Sequence, residues 1–343
     1  MSLSTAKKIV DFIFENQQEH NQIDIGFFGG EPLLEYELLK NITSIVQSHK
    51  AFHPKQVKLS VTTNGTLLTR EIMTFLLEKN IALFISCDGP PKIQDQFRHF
   101  SNGKKTSDLV EKNIMEAANY LPVFGVNSVY SPENFEFLPD VVDYFLTLGV
   151  KMLYLSPNIS AQWTKKEADM IHPIYDAVGK RYVNSFSSGK PVYISLIDSK
   201  ITVILKGGYE PSDMCRMGRG EYAFAPSGNV YTCERLIGSD DGITHCLGNI
   251  DNGLFSKKGC GTPEVINVEC LDCSLKKYCM NWCGCTNYYS SQSYNRVSPF
   301  TCLSEKAAIR TALDILQNAE NHWLPNFSHM QGQNLPKTSE KNK

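Results

Sequence analysis

Cysteine is the residue best able to do chemistry in this 343-residue chain, and its placement is uneven. Ten of the eleven cysteines lie between Cys215 and Cys302, and only Cys87 lies outside. Cys215 is followed by twelve residues, Gly228, four more residues and Cys233. After a gap comes Cys270-x2-Cys273-x5-Cys279-x3-Cys283, and Cys302 follows alone. Thiolates are soft ligands, and groups of four suit zinc or iron–sulfur clusters. A zinc ribbon uses two CxxC-like knuckles, and four of these cysteines could serve it. Zinc does not easily explain seven cysteines in this order. A disulfide framework needs an oxidising compartment. The N-terminus, MSLSTAKKIVDFIFENQQEH, has the pattern of an amphipathic helix, without the apolar core and small-residue cleavage site of a signal peptide. The expectation is a cytoplasmic protein whose C-terminal third holds metal.

A second set of residues lies upstream, in GFFGGEPLL (26–34). Gly29 and Gly30 let a backbone approach a ligand closely. Glu31 offers an acceptor and a negative charge to an ammonium, and Pro32 starts the next helix. TTNGTLLT (62–69), ISCDGP (85–90) and VNSVYSPEN (126–134) put further polar groups at the ends of apolar runs. The plain alternative is that these are turn residues that stop strands.

Positioning these groups falls to elements legible as period and punctuation. IDIGFFGG (23–30), VKLSVTTNG (57–65), IALFISCDG (81–89), PVFGVNSVY (122–130) and KMLYLSPN (151–158) read as buried strands, each ending in Gly, Pro, Asn, Asp or the residues beside them. Helical segments are expected at about 4–19, 33–48, 70–79, 107–119 and 134–148. Their starts are marked by Ser4 or Thr5, by Thr69 and by the SPEN turn at 131–134. Alternation of strand and helix implies parallel βαβ units. The expected class is α/β: part of a (β/α) barrel with its chemistry at the strand ends, or else an open doubly wound sheet. A further helix is expected over 164–187 and a last one over about 303–320. From about 205 the chain turns to Cys, Gly, Pro and Asn, too poor in periodic apolar residues to fold by burial; a metal would fix it instead. The tail QGQNLPKTSEKNK (331–343) is expected to be disordered.

Net charge is −2, so nothing calls for a nucleic-acid backbone as partner. Mean hydropathy is −0.25, and no run approaches the roughly 18 apolar residues of a membrane span. No nucleic-acid or membrane partner is expected.

The order C-x(9–15)-G-x4-C, C-x2-C-x5-C-x3-C, C resembles the SPASM domain of radical S-adenosylmethionine (SAM) enzymes, which mature peptides and proteins. LGNI (247–250) and NWCGCTNYY (281–289) also look like this family, and GGEP looks like its motif after the second barrel strand. The resemblance implies a (β/α)6 radical SAM barrel without its first strand over residues 1–190. A SPASM domain with two auxiliary [4Fe–4S] clusters would span 205–305, and 306–343 would be C-terminal helix and tail. Cys270, Cys273, Cys279 and Cys302 would hold the distal cluster; Cys215, Cys233 and Cys283 would hold the proximal one. The family often adds a proximal ligand shortly after the first cysteine, where this chain reads RMGRGEYAF. The proximal cluster would then keep an open iron, or Cys246 or Cys285 would close it; otherwise these two and Cys260 are plain thiols. SAM would contact Gly29, Gly30, Glu31, Pro32, Asn64, Ser86, Asp88, Asn127, Ser128 and Leu155, with Thr63 and Asn158 nearby. Glu234 stands where sulfatase maturases carry an acidic base, and Tyr231 and Arg235 near it would line a peptide channel.

The implied activity is maturation of a ribosomally made peptide, with thioether cross-linking suggested by an open iron and a reductant such as ferredoxin or flavodoxin supplying electrons. The family also places a CxxxCxxC loop after its first strand, and these residues contain none. The expectation is therefore a fragment of a longer enzyme, unable to cleave SAM alone. A split enzyme, a non-catalytic iron–sulfur protein that binds a peptide or supports a partner enzyme, and a zinc-binding structural protein are the alternatives.

Overall fold

The computed structural model describes residues 1–16, 22–215, 217–218, 220–254 and 267–318. The expected 331–343 tail and Cys260 lie outside the described residues.

The N-terminal part alternates as its periodicity requires. Helix α1 (Leu3–Glu15) leads to β1 (Ile23–Phe27), α2 (Tyr36–Ser48), β2 (Val57–Thr63), α3 (Arg70–Glu78) and β3 (Ile81–Ser86). Then come α4 (Pro91–Phe97), α5 (Ser107–Tyr120), β4 (Gly125–Tyr130), α6 (Leu138–Thr147), β5 (Met152–Pro157), α7 (Lys165–Ser187), β6 (Tyr193–Ile194) and α8 (Ser195–Lys206). The six strands lie in chain order in one sheet, and every neighbouring pair is parallel. Sequential parallel strands joined by helices produce a partial barrel rather than a doubly wound sheet, whose strand order reverses at a switch point.

Burial alternates along the strands and separates two faces. Val57, Leu59 and Val61 of β2 and Ile81, Leu83 and Ile85 of β3 join one core with helix residues such as Met73, Ile114 and Phe145. Their neighbours Ser60, Thr62, Phe84 and Ser86 are half-buried and line the opposite, concave face. Register sets Ser86 beside Asn127 and Asn127 beside Tyr154 on that face.

Thr69 caps α3, its hydroxyl accepting from the Ile72 amide. At α1 the cap is Ser2 rather than Ser4 or Thr5; its hydroxyl accepts from the Thr5 amide. After the SPEN turn a short 3-10 segment precedes α6. Helix α8, SLIDSKITVILK, repeats apolar residues at Ile197, Ile201 and Ile204 but has no side-chain cap. A buried side chain holds its start instead: Asp198 accepts from the Tyr182 hydroxyl (2.9 Å) and the Ile194 amide (2.6 Å).

The cysteine-rich part contains four short antiparallel strands, β7 (Ala223–Phe224), β8 (Asn229–Tyr231), β9 (Cys246–Asn249) and β10 (Gly253–Leu254), ordered β10-β9-β8-β7. Two helices follow, α9 (Gly284–Ser291) and α10 (Pro299–Asn318). Gly228 of the cysteine motif makes the β7–β8 turn. Its φ of +89° favours glycine, and an added Cβ would lie 3.1 Å from Ile250.

Helix α10 joins the two parts. Phe300 stacks on Trp163 at 3.7 Å, and Ser304 ends a buried chain of hydroxyls through Tyr175 to Tyr130. Gly179 of α7 lets α10 come close, since a Cβ there would lie 2.7 Å from Thr311. Lys200 of α8, 3% exposed, pairs with Glu305 at 2.7 Å. At the other end Phe12 of α1 meets Tyr222 and Phe224 edge-on, and Lys8 pairs with Asp251.

Candidate iron–sulfur and SAM sites

Cys270, Cys273, Cys279 and Cys302 line one cavity together with Lys276 and Lys306. Tight turns make the convergence possible. The Cys273 amide donates to the Cys270 carbonyl, Lys276 to Cys273, and Cys279 to Lys276. Asn281 braces this loop by donating to the carbonyls of Lys276 and Cys279, both at 3.1 Å. Cys302 arrives from α10, so its position depends on the barrel helices beneath. Burial raises the Cys270 and Cys279 thiols; neighbouring Cys302 then adds to the shift at Cys270, and Glu305 to that at Cys279.

The other described cysteines of this half form two different settings. Cys233 and Cys285 are buried in one apolar cluster, with Cys215 and Cys283 packed against it. Burial pushes Cys215 up to about 12. The contact with Cys233 comes first in pushing Cys285 up to about 12, and Cys283 is held well above its ordinary value by Cys285 and then by burial. Cys246 belongs to another cluster, with Ala223, Ala225 and Tyr231.

Two carboxylates border the first setting. Glu221, Cys233 and Glu234 place ligand atoms within 4.8 Å of one another, and Glu221 also contacts Cys215. Burial, then the charge of Glu234, raises Glu221. Sequence reading missed Glu221; its one signal was a carboxylate six residues after Cys215 in a stretch without cysteine. Glu234 is exposed and stands 3.3 Å from the Cys233 sulfur. Tyr231 does not line a channel: it is fully buried, donates to Asp240 at 2.9 Å and accepts from the Gly242 amide.

Both thiol groups fit iron–sulfur clusters. None of the described cysteines forms a disulfide, although buried thiols crowd together. Metal binding removes the protons that burial retains, and Lys276 and Lys306 offset the thiolate charge at the cavity. Thr232 Oγ1 and Trp282 Nε1, next in sequence to Cys233 and Cys283, are buried without a hydrogen-bond partner among the described residues.

At the barrel, Glu31 occupies the turn after β1. One oxygen accepts from the Leu33 amide (3.0 Å) and the Thr63 hydroxyl (2.7 Å), the other from the Asn64 amide (2.7 Å). A carboxylate oxygen accepts two bonds, so the second retains a lone pair among the described residues. Gly29 has φ +141°, and a Cβ on Gly29 or Gly30 would meet nothing within 4 Å. Pro32 opens the 3-10 turn that follows. Glu31, Asn64, Ser86 and Asn127 thus come to the strand ends or the concave face.

Asp88, Ser128 and Leu155 are placed differently. Asp88 is 4% exposed. Arg98 grips its carboxylate twice, at 2.7 and 3.0 Å, and the Val129 amide donates to it. The Ser128 hydroxyl is buried and donates to the Asp88 carbonyl, while Leu155 lies in the helix-backed core. Their side chains hold the strand ends rather than facing the concave side. Asn158 donates to Ser131. Cys87 is buried near the Gly89 carbonyl, away from the other thiols.

Residues 3–145 match the Radical SAM superfamily. An uncharacterized protein of Methanocaldococcus jannaschii is 28% identical over 277 residues, covering 78% of this chain and 87% of that protein. The cysteine-type anaerobic sulfatase-maturating enzyme of Clostridium novyi is 23% identical, covering 82% of this chain and 78% of the enzyme. Among solved structures, native anSMEcpe with bound AdoMet and Cp18Cys peptide superposes with a TM-score of 0.73 at 20% identity, covering 93% of this chain and 90% of that one. The fold is therefore that of the radical SAM barrel. Among the described residues no helix is long and apolar enough to cross a membrane.

Proposed function

We propose, from the match of residues 3–145 to the Radical SAM superfamily, that the chain belongs to a maturase that modifies a peptide. Its cysteine-rich half would be a SPASM domain with two auxiliary [4Fe–4S] clusters. The observation that carries this reading is the gathering of Cys270, Cys273, Cys279 and Cys302 on one cavity, beside a second group of Cys215, Cys233, Cys283 and Cys285. Two groups of four thiols match two cubane clusters better than one zinc ribbon. The superposed structure with its peptide supports a peptide as partner.

The clusters, when bound, would supply electron acceptors. The chain's own residues do the rest. The Gly29–Gly30 turn gives close access to the backbone, and the remaining lone pair of Glu31 accepts from the ammonium of SAM. Ser86 and Asn127 present polar groups on the concave face. Glu234, exposed beside Cys233, would take a proton from the peptide. The bond formed depends on the proximal cluster: a thioether made through a substrate thiolate needs an iron that the protein leaves open.

A second reading rests on one observation: these residues contain no CxxxCxxC, and Cys87 alone precedes Cys215. The chain by itself would then bind peptide through an iron–sulfur domain without cleaving SAM. Anaerobic reconstitution tests both. About eight irons per chain are expected from two four-iron clusters, with no 5′-deoxyadenosine from the reduced protein and SAM. Production of 5′-deoxyadenosine would remove the second reading; bound zinc without iron or sulfide would remove both.

A further inference from the structure

We propose that Cys285 is the fourth protein ligand of the proximal cluster, completing Cys215, Cys233 and Cys283. This rests on the iron–sulfur reading above and decides what that reading leaves open: whether an iron remains for a substrate thiolate.

Sequence leaves three outcomes: an open iron, or closure by Cys246 or by Cys285. Placement separates them. Cys285 is 4% exposed and shares its apolar cluster with Cys233, while Cys215 and Cys283 pack against that cluster. Its sulfur lies 3.6 Å from that of Cys283, and it also contacts Cys233. Cys246 lies in β9, within the cluster of Ala223, Ala225 and Tyr231, its sulfur 3.2 Å from the Gly248 carbonyl. Its apolar neighbours are therefore those of the sheet and not Cys233 or Cys285.

Local backbone explains why Cys285 is available. Cys283 caps α9, and Cys285 stands in the first turn of that eight-residue helix. Side chains at the cap and at the second helical position can approach one another there, and the two sulfurs do so at 3.6 Å. Gly284 between them is buried, so no side chain separates the two sulfurs.

One rival lies in the same place. Glu221 contacts Cys215 and shares a 4.8 Å neighbourhood with Cys233 and Glu234. A carboxylate is a harder donor than a thiolate, and iron–sulfide cores are held by thiolates by preference. Cys285 therefore takes the coordination position, and Glu221 stays beside it with Glu234.

The test uses the full chain, reconstituted anaerobically, as wild type and as Cys285→Ser, Cys246→Ser and Glu221→Gln. Iron, sulfide, circular dichroism and the EPR spectra of the oxidised and reduced protein are recorded, with and without added cyanide as a probe for an open iron. The proposal expects a wild-type spectrum that cyanide does not move. It expects Cys285→Ser to fall from about eight irons towards about four, or to keep a three-iron cluster, with helix content unchanged. Cys246→Ser should match wild type. A wild-type spectrum shifted by cyanide, or unaltered iron and spectra in Cys285→Ser, would overturn the proposal. So would a changed proximal signal in Glu221→Gln alone. The cyanide arm needs no variant, so a misfolded variant does not protect the proposal. Wild-type protein with no iron would instead strike the iron–sulfur reading itself.

Discussion

The two halves of this chain solve the same problem by different means. The barrel half hides one continuous core, running from Val10 on α1 to Ile201 on α8. Each large apolar side chain buried there contributes roughly 1.5–3 kcal/mol. The cysteine-rich half has two small clusters, one built on Met217, Cys233, Leu236 and Cys285, the other on Ala223, Ala225, Tyr231 and Cys246. Five of those eight side chains are cysteine or alanine, which offer little area to bury. Burial suffices for the first half, whereas the second, on the proposed reading, would need bonds from sulfur to metal besides the bracing of α10.

The widest separation of the halves should come from removing ligands. Cys270→Ser with Cys273→Ser should cost about half the iron of the reconstituted protein and make residues 207–298 sensitive to protease, while the barrel keeps its far-ultraviolet dichroism. Full protection of that region in the double variant would erase the contrast. A cut into the barrel core should do the reverse. Phe145 is fully buried, and Phe145→Ala should cost about 3–5 kcal/mol in chemical denaturation with iron per folded chain unchanged. Iron lost in step with that stability would mean that the halves fold as one.

The smallest effect concerns the thiol that belongs to the barrel. Burial pushes Cys87 up to about 12 from an ordinary value of 9.0. Between those values the unfolded chain ionises and the folded one does not, so the unfolded state binds fewer protons and stability falls as pH rises. The Cys87 contribution to metal-free protein should therefore be intact below pH 9 and reduced by about 1 kcal/mol at pH 10. Denaturation of wild type and Cys87→Ala at the two pH values measures it; equal pH dependence would mean that Cys87 is not sealed in the core.

Much of this was legible in the residues, and the exceptions share a cause. Thr69 announced α3 because a threonine before an apolar period is a local signal. Helix α8 gave no such signal, since Asp198 holds its start through Tyr182 and the Ile194 amide. Asp88 looked available at a strand end, but Arg98, ten residues on, takes its carboxylate. Ser128 and Leu155 turned to the helix side because alternation along β4 and β5 sets Asn127 and Tyr154 on the concave one. Tyr231 stood near Glu234 in sequence, yet a bend back to Asp240 buries it.

Sequence alone determined the class of fold and the chemistry proposed: period decides strand or helix, and thiol spacing is what suggests a soft metal. Tertiary structure decided which sulfurs meet. Cys246 and Cys285 are the same group at similar burial, and no spacing rule ranks them. Only the path of the backbone through β9 and into the first turn of α9 puts one among the other thiols and the other inside a sheet, because coordination acts over a few ångströms and chain distance says little about it.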